Sequence, residues 1–255
     1  MVVLDLARWK SPAALQLLVV MMLHMDCKVL PREPPVQFIE LFAGKGEVSQ
    51  AFREQGWTGS SHDINTSPYM DLCTAVGFLM AANEILNAQP GSTVVIALCC
   101  NSYTAMSKGT SDRNILNLFL GNSGYTYVAI GNLLASRVVL ILWLCCWKKL
   151  KWVLERPANS CLQHHPRFQE FLHTCRVFSG IFYMGCFDGP TSKRHKLWSN
   201  CQGLIHSIIK GATYMPRALR LSLKGSPLVR KYIDKKGRAR YAGIPGVLKQ
   251  SQSLL

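Results

Sequence analysis

The chain has 255 residues, of which 49% are hydrophobic and 17% are charged. A chain of this length and composition can bury a substantial core, which excludes a disordered protein and favours one ordinary domain with extensions. Its 29 Lys and Arg residues against 14 Asp and Glu residues give a net charge of +15. Such a surplus is typical of proteins that bind a polyanion, either nucleic acid or an acidic membrane.

The ten cysteines include no C-x-x-C pair and no Cys/His spacing typical of zinc sites, so we expect no metal. Residues 164 and 165 are both His, but adjacent residues of a helix point about 100° apart, and no third ligand is evident. Adjacent cysteines, at 99–100 and 145–146, are poor disulfide partners. We therefore expect a reduced intracellular protein, with the nucleus as one candidate location, whose cysteines are mostly small core residues.

Taken in chain order, the pattern changes at residue 36. Residues 1–35 form an N-terminal extension that ends in a proline-rich linker. Beyond it, strands are predicted at 36–42, 57–63, 93–98, 151–155, 177–183 and 196–199. Helices are predicted at 47–55, 75–87, 128–147, 166–175 and 202–210, and residues 99–124 are predicted as a loop with a short helix. This alternation predicts a doubly wound α/β domain over 36–210, with a mostly parallel Rossmann-like sheet and helices on both faces, followed by a basic tail at 211–255.

Two apolar stretches raise the question of a membrane span. Residues 13–25 are too short to cross a bilayer, and they lack a convincing cleavage site for a signal peptide. Residues 125–147 are long enough, but they contain Asn132 and Arg137, and a charged Arg in mid-span is costly in lipid. We expect a buried helix that covers the sheet, with a membrane anchor at 125–147 as an alternative.

The strongest local motif is Phe-Ile-Glu-Leu-Phe-Ala-Gly-Lys-Gly at residues 38–46. Glycines directly after a strand let the backbone turn sharply and approach a ligand, and the following helix begins with free N–H donors. Ser49 stands where a dinucleotide-binding sequence has its third glycine, which weakens the case for a dinucleotide. Asp63 ends the second predicted strand, where an acid is suited to ribose hydroxyls. Asp71 lies where the next connection can present an acid to an adenine amino group.

Residues 40–46 resemble motif I of S-adenosylmethionine (SAM)-dependent methyltransferases, and especially of the cytosine-C5 DNA methyltransferase family, which has Asp/Glu-Leu-Phe-x-Gly-x-Gly there. Three later segments follow in the family's order. Residues 99–103 (Cys-Cys-Asn-Ser-Tyr) stand where the family has Pro-Cys-Gln and a serine-rich loop. Residues 154–157 (Leu-Glu-Arg-Pro) stand where it has Glu-Asn-Val, and residues 192–194 (Ser-Lys-Arg) lie near its Gln-x-Arg-x-Arg region. The resemblance covers roughly residues 36–200.

The resemblance implies that SAM is the cofactor and that the protein transfers a methyl group to C5 of cytosine in nucleic acid. The residues implied to bind SAM follow the first three strands: Phe42, Ala43, Gly44, Gly46, Asp63, Ile64, Asp71 and Leu98.

The resemblance also implies the catalytic residues. Cys100 would be the nucleophile whose thiolate adds to C6 of a cytosine that has left the base stack. Glu155 would hydrogen-bond the ring nitrogen and the amino group of the base, and Arg194 would hold a phosphate or Glu155. Contacts with nucleic acid, DNA in the first place, are expected from four polar residues: Ser102, Lys108, Arg113 and Lys193.

The positive charge is concentrated at the C-terminal end. From Lys193 onwards there are fourteen Lys or Arg residues and one acid, Asp234, so this stretch carries +13 of the net +15. We expect this basic C-terminal region to bind nucleic acid.

Several residues depart from the family pattern. Cys99 replaces the proline, Asn101 replaces the glutamine, and Arg156-Pro157 replaces Asn-Val. No long segment suggests a separate target-recognition domain. A degenerate methyltransferase fold that binds SAM or nucleic acid without catalysis is therefore the main alternative.

Overall fold

The computed structural model describes residues 11–13, 16–17, 19, 36–99, 101–187, 189, 191–223, 229–233, 237 and 239–243. The predicted extension at 1–35 lies largely outside these residues. The strands are β1 Val36–Leu41, β2 Gly59–His62, β3 Ala88–Ala97, β4 Lys151–Pro157, β5 Phe178–Tyr183, β6 Arg194–Ser199, β7 Val229–Ile233 and β8 Ala239–Gly243. The α-helices are α1 Glu47–Glu54, α2 Ala75–Asn87, α3 Lys108–Ser111, α4 Thr126–Trp147, α5 Pro166–Thr174, α6 Gln202–Ile209 and α7 Arg217–Ser222.

Six strands form one mixed sheet in the order β2-β1-β3-β4-β6-β5. Strands β1 to β4 pair in parallel, and β6 is antiparallel to both of its neighbours, β4 and β5. Helices flank the sheet, so the predicted α/β class with a mostly parallel Rossmann-like sheet is confirmed. The antiparallel insertion of β6 was not predicted, because residue patterns carry no information on strand direction.

The apolar pattern of the sequence explains the core. Strand β1 has five buried residues out of six, and β4 has four buried residues out of seven. Buried residues at consecutive positions are typical of strands covered on both faces. Thr74 caps the start of helix α2, and its hydroxyl accepts a hydrogen bond of 3.0 Å from the N–H of Gly77. That cap satisfies one of the N–H groups left free at a helix start and fixes where the helix begins.

The segment between β3 and α4 agrees with the predicted loop and short helix. It contains α3 and three turns of 3-10 helix, Asn101–Tyr103, Ala105–Ser107 and Ile115–Asn117. Packing also continues beyond the predicted domain end at residue 210, since Ala212 and Met215 are buried.

The long apolar helix α4 packs in the interior of the domain. It is the one helix among the described residues that is long and apolar enough to cross a membrane, and 61% of its apolar stretch is buried inside the domain. The Arg137 side chain of this helix donates hydrogen bonds to the carbonyl oxygens of Leu72 and Thr74, the latter at 2.6 Å. These contacts give the charged group polar partners within the protein, which favours the core helix over the membrane span.

Candidate functional site

The glycine motif forms a tight turn between β1 and α1. Gly44 and Gly46 have φ angles of 57° and 72°, the left-handed region that glycine adopts without strain. A Cβ atom at either position would meet nothing within 4 Å, so the backbone faces open space. Together with Ala43 and Lys45 these glycines line a cleft of about 500 Å³. The turn can therefore be approached closely by a ligand, as the sequence predicts.

Asp63 lies beside this turn and fixes its shape. Its Oδ2 accepts a hydrogen bond of 2.8 Å from the N–H of Gly44. Its Oδ1 accepts from the backbone N–H of Asn65 at 2.8 Å and from the Asn65 side chain at 2.7 Å. Each carboxylate oxygen has two acceptor positions, so three of the four are used and Oδ2 can still accept from one ligand hydroxyl while the group holds the loop. The structure thus brings together the glycine turn and the acid predicted to bind ribose.

Glu40 has a positioning role that the sequence reasoning missed. Its carboxylate is buried in β1 and accepts hydrogen bonds from the N–H of Ser49, at 2.8 Å, and from the Ser49 hydroxyl. Burial raises the pKa of Glu40, and the hydrogen bonds from Ser49 oppose this shift. The pair ties the first turn of α1 to the strand, so it holds the helix start that faces the cleft. An acid between the apolar residues Ile39 and Leu41 of a predicted strand was the available signal.

The other residues predicted to bind SAM differ from one another in their exposure. Ile64 follows Asp63 with 55% of its surface exposed, which makes it the apolar side chain available to a ligand there. The Asp71 carboxylate accepts from the N–H of Cys73 at 2.8 Å and is half-buried. Phe42 is partly buried against the core and Leu98 is buried in it. The structure therefore gives these last two a packing role.

A second cleft, of about 530 Å³, opens where β3 and β4 end. Its walls come from three segments that are distant in sequence: residues 101–107 after β3, residues 157–159 after β4, and residues 193–195 at the start of β6. Lys193 and Arg194, both predicted site residues, line it. Burial lowers the pKa of Lys193, and the charge of Glu155 opposes that shift. The arrangement is a partly enclosed, positively charged cleft.

Glu155 is paired with a residue that the sequence reasoning did not select. Its Oε1 contacts Nδ1 of His195 across the antiparallel β4–β6 pair. His195 is 8% exposed, and among the described residues its Nε2 has no hydrogen-bond partner. His195 directly follows Arg194 in the sequence. This adjacency to a predicted site residue was the only sequence signal that pointed to His195. His195 lines the second cleft, so Glu155 stands behind the cleft as the partner of a lining imidazole.

The predicted nucleophile, Cys100, lies outside the described residues. The residues on either side of it are described. Cys99 is exposed with a free thiol, and Asn101 lines the second cleft.

Two residues predicted to contact nucleic acid are corrected by the structure, because both are buried. Arg113 and Ser102 are each 2% exposed, and the guanidinium donates to the Ser102 hydroxyl at 2.8 Å. It also donates to the Phe119 carbonyl at 2.6 Å and to Asn132 Oδ1 at 2.7 Å. The Cζ atom of Arg113 lies 3.6 Å from the ring centroid of Tyr103. Arg113 therefore organises the loop after β3 from inside.

Lys108, another member of that predicted set, is exposed. It lines a smaller pocket of about 300 Å³ that shares Thr104, Ala158 and Asn159 with the second cleft. Within the described part of the chain, no group of three His, Cys, Asp or Glu side chains is arranged to hold a metal ion.

The fold and the two clefts define an α/β protein of Rossmann-like architecture with a ligand-accessible glycine turn. Comparison with models of protein families and with curated proteins found no match for this chain.

Proposed function

We propose that this protein is a SAM-dependent methyltransferase that acts on C5 of cytosine in nucleic acid. One observation carries the proposal: the glycine turn with Asp63 and the cleft beside the Glu155–His195 pair lie at the same edge of the sheet. Strands β1, β3 and β4 are parallel neighbours, with Leu41 paired to Ile96 and Ala97 paired to Glu155. The loops that follow them therefore emerge side by side, which is where open α/β sheets bind ligands.

The strand order differs from that of the dinucleotide-binding sheet, which is open, mostly parallel and ordered 3-2-1-4-5-6. Here the order is β2-β1-β3-β4-β6-β5, and β6 runs antiparallel between β4 and β5. The absence of a third glycine in the turn also argues against a dinucleotide.

The residues around the glycine turn fit SAM. The open space beside Gly44 and Gly46 admits a ligand against the backbone. Oδ2 of Asp63 keeps one acceptor position for a ribose hydroxyl, and the exposed Ile64 offers an apolar surface to an adenine ring. When bound, SAM supplies the methyl group.

In the proposed reaction, the thiolate of Cys100 forms a bond to C6 of cytosine, and the electron pair released towards C5 makes that carbon nucleophilic. Bound SAM would supply the methyl group that C5 takes and would leave as S-adenosylhomocysteine. A base would then remove the C5 proton, and the C6–sulfur bond would break to release the thiolate. Glu155 hydrogen-bonds the ring nitrogen side of the base, and Lys193 and Arg194 offset the phosphate charge at the cleft mouth.

The direct experiment measures transfer of a labelled methyl group from SAM to mixed DNA and RNA. Cys100→Ala should abolish transfer, whereas Cys99→Ala, which removes the neighbouring exposed thiol, should retain most of it. A covalent complex with 5-fluorocytosine DNA should form with the Cys99 variant and not with the Cys100 variant, because fluorine at C5 cannot leave as a proton does. SAM binding without transfer to any substrate would overturn the catalytic part of the proposal.

A second candidate is a non-catalytic protein of the same fold that binds SAM or nucleic acid. The observation that favours it is the engagement of Glu155 by His195, which occupies one oxygen of the carboxylate expected to meet the base. The neighbouring Arg156 is also buried, where it donates to the Ser160 carbonyl at 2.8 Å. A Cys100-dependent covalent complex would exclude this candidate.

A further inference from the structure

The smaller pocket, which Lys108 lines, has a wall of two stacked aromatic rings. It has a volume of about 300 Å³ and is lined by residues within 103–119, in the segment after β3, and within 158–164, after β4. The rings of Phe119 and His164 stack there, with centroids 4.5 Å apart and planes inclined by 26°. We call this space the ring pocket, since the two rings offer a flat apolar surface to a ligand.

The backbone that carries Phe119 is held in a strained conformation. Leu118 and Phe119 have φ angles of 52° and 60°, a left-handed region that bulky side chains rarely adopt. The Arg113 guanidinium donates to the Phe119 carbonyl at 2.6 Å, and the N–H of Phe119 donates to the Asn114 carbonyl at 2.8 Å. Such strain persists only where surrounding contacts enforce it, and it is concentrated at ligand sites. These contacts therefore fix the ring of Phe119 at the wall of the pocket.

The ring pocket carries positive charge. Its lining, taken over the described residues, includes two cations, Lys108 and Arg113, and no Asp or Glu. The Cys161 thiol, which also lines it, reports the sign of this charge: burial raises its pKa, and the charges of Arg113 and Lys108 oppose that shift. Asp112, the acid next to Arg113 in the sequence, is exposed, and its carboxylate accepts from the Asn114 side chain at 3.0 Å. The pocket therefore favours a ligand with negative charge.

The ring pocket also has a buried hydroxyl that lacks a partner. Ser111 lines the pocket and is fully buried, and its Oγ has no hydrogen-bond partner within the described part of the chain. Buried polar groups are almost always paired, so an unpaired hydroxyl beside a pocket points to a group that a ligand brings. A serine hydroxyl can donate to a carboxylate oxygen.

We propose that the ring pocket binds a small aromatic acid, that is, one planar ring that bears a carboxylate. The ring lies against Phe119 and His164, and the carboxylate meets the ammonium of Lys108 and the hydroxyl of Ser111. A volume of about 300 Å³ is at the lower end of the range for ligand pockets, so it suits a single ring better than a larger cofactor.

The test titrates the full chain with four probes, in the absence of SAM and nucleic acid, and follows binding by ligand-observed NMR. Benzoate has the ring and the carboxylate, benzamide has the ring without the charge, and acetate has the charge without the ring. We expect benzoate to bind roughly tenfold or more tightly than either, because charge-assisted hydrogen bonds and contact with the rings each contribute a factor of about that size. Phenyl phosphate, the fourth probe, should bind more weakly than benzoate, and the reverse order would overturn the choice of a carboxylate.

Ser111→Ala locates the ligand. Because the hydroxyl has no partner among the described residues, its loss should leave the melting temperature unchanged or raise it. The affinity for benzoate should nevertheless fall about threefold to tenfold, since one hydrogen bond to the ligand is lost. Ser179→Ala, at an exposed serine of β5, is the matched control and should leave the affinity unchanged.

Two further variants separate the charge from the ring. Lys108→Gln should remove most of the preference for benzoate over benzamide, whereas His164→Ala should weaken the binding of both. Arg194→Gln removes an exposed cation of the neighbouring second cleft and should leave the affinity for benzoate unchanged. Absence of benzoate binding to the unaltered chain, an affinity that Ser111→Ala does not change, or equal weakening by the Lys108 and Arg194 variants would overturn the proposal. None of these measurements depends on methyl transfer, so the ring pocket is tested separately from the proposed function.

Discussion

The backbone N–H of Gly44 donates a hydrogen bond of 2.8 Å to Oδ2 of Asp63, although 19 residues separate the two. The first lies in the turn after β1 and the second follows β2, so the bond joins the ends of two adjacent parallel strands. The same carboxylate also holds Asn65. The acid that the sequence assigns to a ligand therefore also builds the site that receives it.

Replacement of Asp63 by Ala is expected to lower the free energy of unfolding by about 1–3 kcal/mol, because the hydrogen bonds that the carboxylate accepts from Gly44 and Asn65 are lost, at about 1 kcal/mol each. SAM affinity, measured by calorimetry, should fall more than stability alone explains. Glu170→Ala removes the same charge from an exposed position of α5 and serves as the control. Similar SAM affinities in the two variants would contradict a role of Asp63 in the cofactor cleft.

Replacement of Arg113 by Lys is expected to destabilise the protein by about 3 kcal/mol or more. Lysine keeps the charge but not the planar fork, so several of the buried acceptors, including Ser102 and the Phe119 carbonyl, lose their donor. Chemical denaturation measures the change. Lys108→Ala, an exposed cation of the same loop, should stay within about 0.5 kcal/mol of the unaltered protein. A small effect at Arg113 would argue that the guanidinium is not buried.

His165 is expected to make the protein sensitive to mild acid. Burial, with the charges of Arg113 and Arg167, lowers the pKa of His165 to about 4 from its ordinary 6.5. The folded state thus binds this proton less readily than the unfolded chain does. Above pH 6.5 His165 is neutral in the folded and in the unfolded chain, so it does not change the free energy of unfolding. As the pH drops from 6.5 towards 4, that free energy falls by on the order of 3 kcal/mol.

Thermal unfolding between pH 7.5 and 4.5 checks this. His165→Gln should flatten the acid limb of the stability profile, whereas His206→Gln, at an exposed position of α6, should leave it unchanged. An acid limb of equal steepness in both variants would assign the sensitivity to other groups.

Gly131→Ala is expected to be destabilising although alanine favours helices. An added Cβ in α4 would overlap with the Ser102 hydroxyl and lie 3.1 Å from Nη2 of Arg113. Such overpacking costs about 1–3 kcal/mol. Gly203 in α6 has nothing within 4 Å of an added Cβ, so Gly203→Ala should stabilise the protein by about 0.5–1 kcal/mol. Thermal unfolding of both variants measures the contrast, and equal shifts would contradict the close approach at Gly131.

Much of the fold could be predicted, because local patterns report local structure. Alternating apolar segments predicted the strands and helices of the main sheet, and the glycine turn was predicted from residues 44 and 46 alone. The boundaries were less accurate, since β3 begins at Ala88 and β6 at Arg194, where tertiary pairing extends a strand beyond its apolar core. The hairpin in the tail was not predicted, because its strands carry charge where strands usually carry apolar residues.

The sequence by itself determined the α/β class, the glycine turn, the acid that follows β2 and the charge of the tail, because periodicity, backbone freedom and charge are properties of short segments. The tertiary structure alone decided which polar residues face a ligand. Ser102 and Arg113 looked like surface groups and are buried together, whereas His195 attracted no notice and meets Glu155. The physical reason is that a polar side chain is exposed or buried according to the partners that other segments bring to it, and those segments are distant in sequence.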